Sequence, residues 1–192
     1  MNSTIILMGP IGVGKTTIGR LLADRLGVPL CSFDDVRSIY YEKVGYDKSL
    51  ASSIVASEQG VRGLLRYAEP YDVQIIKLLL ADFQRGIIDF GASNSVYDDK
   101  DLLAQVEHAL EPYPNVILLV PSRDKKESAE ILKIRLTKML TEAGRPFTDE
   151  LFELNHYFIQ HLSNYQLAKR VIYTKGKSPE VIQDEIVVGL VY

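Results

Sequence analysis

The chain has 192 residues, 46% of them hydrophobic and 24% charged, with a formal net charge of −3 and a pI near 5.7. That length and apolar content suit one compact domain with its own core, and the acidic balance excludes a general electrostatic attraction to nucleic acid or anionic membrane. The lone cysteine, Cys31, excludes an internal disulfide and suits a reducing compartment, where it reads as a small buried residue. No apolar run approaches the ~20 residues that span a bilayer, and the first residues lack a basic region and a cleavage site. The expectation is a cytoplasmic protein, monomer or homodimer.

In chain order, short apolar runs alternate with helical patterns. Strands are expected at Thr4–Met8, Val28–Cys31, Gly86–Phe90, Val116–Val120 and Val171–Tyr173. These runs are nearly continuous rather than alternating, as in strands covered on both faces of a parallel sheet. Helices are expected at Thr16–Leu26, Asp72–Gln84, Leu102–Leu110, Lys125–Leu140 and Pro179–Val188, the last with Ser178 as its cap. The alternation implies βαβ units in a single α/β domain over residues 1–192. Two segments break it. Asp34–Tyr71 reads as a helical, substrate-binding insertion, and Thr141–Leu151, with Gly144 and Pro146, as a hinged lid.

Gly9-Pro10-Ile11-Gly12-Val13-Gly14-Lys15-Thr16 matches the phosphate-loop pattern G-x-x-x-x-G-K-[ST], between an apolar strand and an amphipathic helix. Chemistry on a polyphosphate needs these residue types. Gly9, Gly12 and Gly14 permit backbone angles closed to other residues and keep side chains away from the phosphate. The N–H groups around Val13, backed by the positive end of the helix, form an anion nest. Lys15 is expected on the β- and γ-phosphates, the Thr16 hydroxyl on Mg²⁺ and Thr17 at the α-phosphate, with ATP as donor.

Asp34-Asp35-Val36-Arg37 follows the second strand, at the end of a parallel sheet where ligands bind. Asp34 is the candidate general base for an acceptor hydroxyl. Alternatively, Asp34 or Asp35 caps the next helix. Arg37 is a substrate clamp or a surface residue. Asp89, inside an apolar run, either supports magnesium beside Thr16 or pairs with Lys15 or a backbone amide. Gly91-Ala92-Ser93 is a small-residue exit loop suited to close substrate approach. Arg145 is the candidate for the transferred phosphoryl group, and Arg135 for stacking on the adenine. Arg66 either binds an anionic group of the substrate or pairs with Glu69. His156 and His161 do not share a helical face and belong to no metal cluster.

Together these residues resemble the nucleoside-monophosphate-kinase branch of P-loop kinases, and shikimate kinase in particular. Gly9–Thr16 is similar to that family's phosphate loop, Asp34 to its substrate aspartate, Leu65-Arg66-x-x-Glu69 to its Phe-Arg-x-x-Glu segment and Arg145-Pro146-Phe147 to its lid. Arg135 resembles its adenine-stacking arginine. The resemblance implies a three-layer fold, a five-stranded parallel sheet in order 2-3-1-4-5 with helices on both faces, a closing lid, and an ATP/Mg-dependent kinase for a small hydroxylated acceptor. The sequence departs from the family in three places. Ser32 replaces an acidic residue, Gly91 alone stands for a triple glycine, and Gln160 or His161 stands where a second substrate arginine is expected. Asp34-Asp35-x-Arg37 also resembles polynucleotide-kinase-like and antibiotic-phosphotransferase-like enzymes, and an ATPase switch module is the non-kinase alternative.

Overall fold

The computed structural model describes residues 4–191. The apolar runs form strands β1 (Ile5–Met8), β2 (Leu30–Ser32), β3 (Ile87–Asp89), β4 (Asn115–Val120) and β5 (Arg170–Tyr173). They pair in parallel in the order β2-β3-β1-β4-β5, as the resemblance implies. Side chains of successive strand residues point to opposite faces. Ile6, Met8, Ile88 and Phe90 therefore enter one apolar layer, and Ile5, Leu7, Ile87 and Ile117 enter another. Helix α1 (Lys15–Leu26) covers the second layer with Ile18 and Leu22, joined by Ile182 and Ile186 of α9 (Pro179–Val188). Leu22 is fully buried, and truncating it to alanine would cost about 2–5 kcal/mol.

The segment expected as an insertion forms α2 (Phe33–Lys43), α3 (Lys48–Ala56) and the first half of α4 (Gly60–Asp82). The expected boundary at residue 71 and the helix start at Asp72 both fall inside α4. Pro70, which suggests a break, lies within the helix. It removes one N–H from the helical ladder, but the buried stripe from Ala68 through Val73, Ile76 and Leu80 outweighs that loss. An aromatic cluster stiffens the insertion, with the Tyr41 and Tyr46 rings stacked at 3.9 Å and Tyr67 and Tyr71 against Tyr46.

Val106 and Leu110 of α5 (Lys100–Leu110) and Leu167 of the short α8 (Ser163–Leu167), which the sequence pattern does not reveal, join α4 in the first layer, while α6 (Lys125–Glu142) and α7 (Asp149–Gln160) enter the second through Ala129, Leu132 and Ile159. Residues 143–148 link α6 to α7. Gly144 takes a left-handed φ of 66° there, and Thr148 caps α7 by accepting from Leu151 N–H. Among the described residues no helix is long and apolar enough to cross a membrane.

Candidate active site

Strand register gathers the site. Asp89 lies opposite Leu7 on β1 and opposite Ser32 on β2. The loop after β1, the start of α2 after β2 and the exit of β3 therefore open at one sheet edge. Gly9, at φ 145°, runs so close to β4 that a Cβ would lie 2.3 Å from the Leu119 carbonyl oxygen. Gly14, at φ 105°, precedes α1 with no side-chain cap, so the first-turn N–H groups take no capping side chain. Lys15 folds back over the loop, its Nζ donating to the Gly9 carbonyl at 3.0 Å and the Pro10 carbonyl at 3.4 Å. Buried Asn155 of α7 clamps the loop tip. Its Oδ1 accepts from Ile11 N–H at 2.8 Å and its Nδ2 donates to the Ile11 carbonyl at 3.1 Å. No sequence motif announces this contact.

Thr16 Oγ1 donates to Asp89 Oδ2 at 2.6 Å. Asp89 is buried, and its Oδ1 has no hydrogen-bond partner among the described residues. Burial pushes the Asp89 carboxyl up, against the opposing pull of the Lys15 charge and the Thr16 hydrogen bond. Desolvation lowers the Lys15 pKa, partly offset by Asp89 and then Asp34. Of the alternatives for Asp89, the contact formed is with the Thr16 hydroxyl, while Lys15 acts on it through charge alone. A hydroxyl beside an orphaned carboxylate oxygen is a donor set that fits Mg²⁺.

Asp34 and Asp35 sit in the first turn of α2, whose N-cap is Ser32, so neither aspartate is the cap. Asp34 is exposed, with Arg37 3.8 Å away one helical turn on. Bare Gly91 packs beside it, since a Cβ there would approach Asp34 Oδ1 to 3.0 Å. Arg37 also lies over the Tyr41 ring, whose hydroxyl donates to Asp72 Oδ1 at 2.7 Å. Asp72 is 5% exposed, and burial pushes its carboxyl up to about 6.

Asp72 lines a narrow cavity with Arg62, Arg66 and Glu69 from the same face of α4, closed by Asp98 and Tyr157. Arg66 and Glu69 face this space without forming the ion pair allowed from sequence, although the Arg66 charge still favours the ionised Glu69. Burial, followed by Asp98 and Asp99, raises the Glu69 carboxyl to about 7. Arg62 and Asp72 were not candidates from sequence. Their spacing with Arg66 and Glu69 shows one helical face only if the helix is carried through Pro70.

Arg135 borders a cavity of about 200 Å³ with Gly12, Gly14, Thr17, Thr174 and Lys177. The structure thus brings Arg135 and Thr17 to the phosphate loop. Arg145 lies exposed in the 143–148 link, where its backbone N–H donates to the Leu140 carbonyl, and no described side-chain contact joins it to the cleft. His161 Nε2 lies 3.2 Å from Asp98 and Nδ1 2.7 Å from Ser163 Oγ, so it braces the exit loop of β3. The His156 ring packs near Phe152. Cys31 is half-buried rather than fully enclosed.

A parallel sheet in this order, with a glycine loop feeding the N-terminus of α1, defines a P-loop NTPase fold. Residues 5–82 match the family described as ATPase family associated with various cellular activities (AAA), a stretch that contains the phosphate loop and ends with α4. The fold is shared with shikimate kinase from Acinetobacter baumannii, at 16% identity and a TM-score of 0.57, covering 96% of this chain and 90% of that one. It is shared equally with a gluconokinase from Sinorhizobium meliloti 1021, at 14% identity and a TM-score of 0.57, covering 98% and 91%. By sequence, the chain is 29% identical over 188 residues to threonine synthase-like 1 of Mus musculus. That match covers 96% of this chain and 22% of the relative, so the chain spans about a fifth of the curated protein's length.

Proposed function

We propose that the chain is an ATP- and Mg²⁺-dependent kinase that phosphorylates a hydroxyl of a small-molecule acceptor. The observation that carries this reading is the convergence of Lys15, the Thr16–Asp89 pair and Asp34 at the N-terminus of α1. The loop amides bind the polyphosphate, and Lys15 leaves the Gly9 and Pro10 carbonyls to neutralise the terminal phosphate. Thr16 and Asp89 hold Mg²⁺, which when bound neutralises charge on the phosphate oxygens. Asp34 orients the acceptor hydroxyl and takes its proton as the oxygen attacks the γ-phosphorus. The bond to the β–γ bridging oxygen breaks and ADP leaves. Arg135 stacks on the adenine, and Arg145 closes with the 141–151 lid over the transferred phosphoryl group and excludes water.

The acceptor lies between α2, the Gly91 loop and the α4 face. Arg37, Arg66 and Gly91 contact it, and Glu69 and Asp72 add hydroxyl acceptors. Shikimate kinase and gluconokinase, the proteins that share this fold, make hydroxylated carboxylic acids the first acceptors to test. The decisive experiment is an ATP-consumption screen over shikimate, gluconate, sugars and nucleosides, with phosphorylated product identified by mass spectrometry. Turnover with one acceptor, lowered about 10²-fold or more but still measurable in Asp34→Asn, supports the reading. ATP hydrolysis at full rate without any acceptor would make the protein an ATPase instead.

A further inference from the structure

The exit loop of β3 holds a polar group that the proposed chemistry leaves unused. Asn94 is 1% exposed, and its amide nitrogen Nδ2 has no hydrogen-bond partner among the described residues. A buried N–H without a partner costs free energy comparable to a lost hydrogen bond. Its amide oxygen faces Gly91, where a Cβ would come within 2.5 Å of Asn94 Oδ1 and 3.0 Å of Asp34 Oδ1. Two acceptor oxygens thus share one small space above a bare glycine. A half-turn of the amide about χ2 exchanges oxygen for nitrogen at nearly unchanged shape. The buried donor then meets the carboxylate, leaving a carbonyl oxygen as the better-tolerated orphan.

We propose that Asn94 donates a hydrogen bond through Nδ2 to the Asp34 carboxylate and acts as its positioning residue, a role that rests on the reading of Asp34 as general base. Asp34 needs one. It is exposed on the first turn of α2, and Arg37 at 3.8 Å holds it only weakly. Asn94 is well placed to supply it because its loop is fixed. Tyr97 Oη donates to the Asn94 carbonyl at 3.0 Å, Ser95 Oγ donates to Asn164 at 2.6 Å, and Ser163 Oγ donates to the Ser95 carbonyl at 2.7 Å. Gly91 completes the arrangement, since any side chain there would separate the pair.

The contact is tested without turnover by ¹⁵N NMR on the intact protein, with the Asn94 side-chain amide assigned by its loss in Asn94→Ala. The expected result is a shift of that amide on Asp34→Asn. An amide that does not move overturns the inference. Kinetics with the acceptor found in the screen test the role. Asn94→Ala should lower kcat roughly tenfold with KM for ATP unchanged, a fraction of what a general base supplies. It should have no further effect in the Asp34→Asn background, and Tyr97→Phe, which loosens the loop but keeps the amide, should retain most of kcat. A purely packing role would lower kcat equally in both backgrounds and would refute the positioning role. An amide that shifts while Asp34→Asn leaves turnover intact would instead refute Asp34 as the base.

Discussion

At the phosphate-loop end of the cleft Asp89 is buried and held by Thr16 Oγ1, and Lys15 is half-buried and held by the Gly9 and Pro10 carbonyls. At the end proposed to take the acceptor, Asp34, Arg37 and Arg145 are exposed and weakly held. The difference fits what the proposed function asks of each end. A polyphosphate is the same in every turnover, so its charges can be met by groups desolvated and oriented during folding. An acceptor must enter, be selected and be covered, which calls for groups that move.

The contrast can be broken by substitution, from the strongest effect to the weakest. Lys15→Ala should reduce turnover by about 10³-fold and abolish the stabilisation of the protein by ATP, read by thermal shift. A variant that still gains stability from ATP at wild-type concentrations would show that the phosphate end does not depend on it. Asp72→Asn tests the charge buried behind the acceptor end. Burial raises the Asp72 pKa from 3.8 to about 6, so the wild type loses stability as pH rises through that window and stays lower above it. A rise from 3.8 to about 6 corresponds to about 3 kcal/mol. Asn can still accept from the Tyr41 hydroxyl, so the variant should be more stable at pH 7.5 and flatter between pH 4 and 6. Denaturant titrations at a series of pH values check this, and parallel curves for the two proteins would refute it.

Arg145→Ala should lower kcat about 10²-fold while leaving the melting temperature unchanged, because the side chain is exposed in the 143–148 link. A loss of stability would place the residue in the scaffold rather than the lid. Asn155→Ala should have the mildest consequence, destabilising by about 2 kcal/mol through two unpaired groups on Ile11 and raising KM for ATP more than it lowers kcat. Unchanged KM would mean that α7 does not shape the phosphate loop.

Legibility in the sequence follows the same division. The phosphate end could be read directly because its residues are contiguous and the glycines have one backbone reason to be there. Asp34 and Gly91 were found as strand-exit residues, since parallel strands deliver their carboxyl ends to one edge. The rest of the acceptor end was obscured by Pro70. It signals a break, and reading it so splits Arg62 and Arg66 from Asp72, which lie on one face of α4. Asn155 and Asn94 carry no local signal, because an asparagine buried against a distant backbone looks like a loop or surface residue from its neighbours alone.

By itself the sequence determined the strand-and-helix alternation, the phosphate loop and the choice of a buried parallel sheet, all consequences of periodicity and of which residues tolerate unusual backbone angles. Only the tertiary structure decided which carboxylate meets Thr16, which face of α4 lines the cavity closed by Asp98 and Tyr157 and how α7 grips Ile11. Those contacts join residues far apart in the chain, and their energies depend on burial and orientation, which exist only once the sheet has brought the strand ends together.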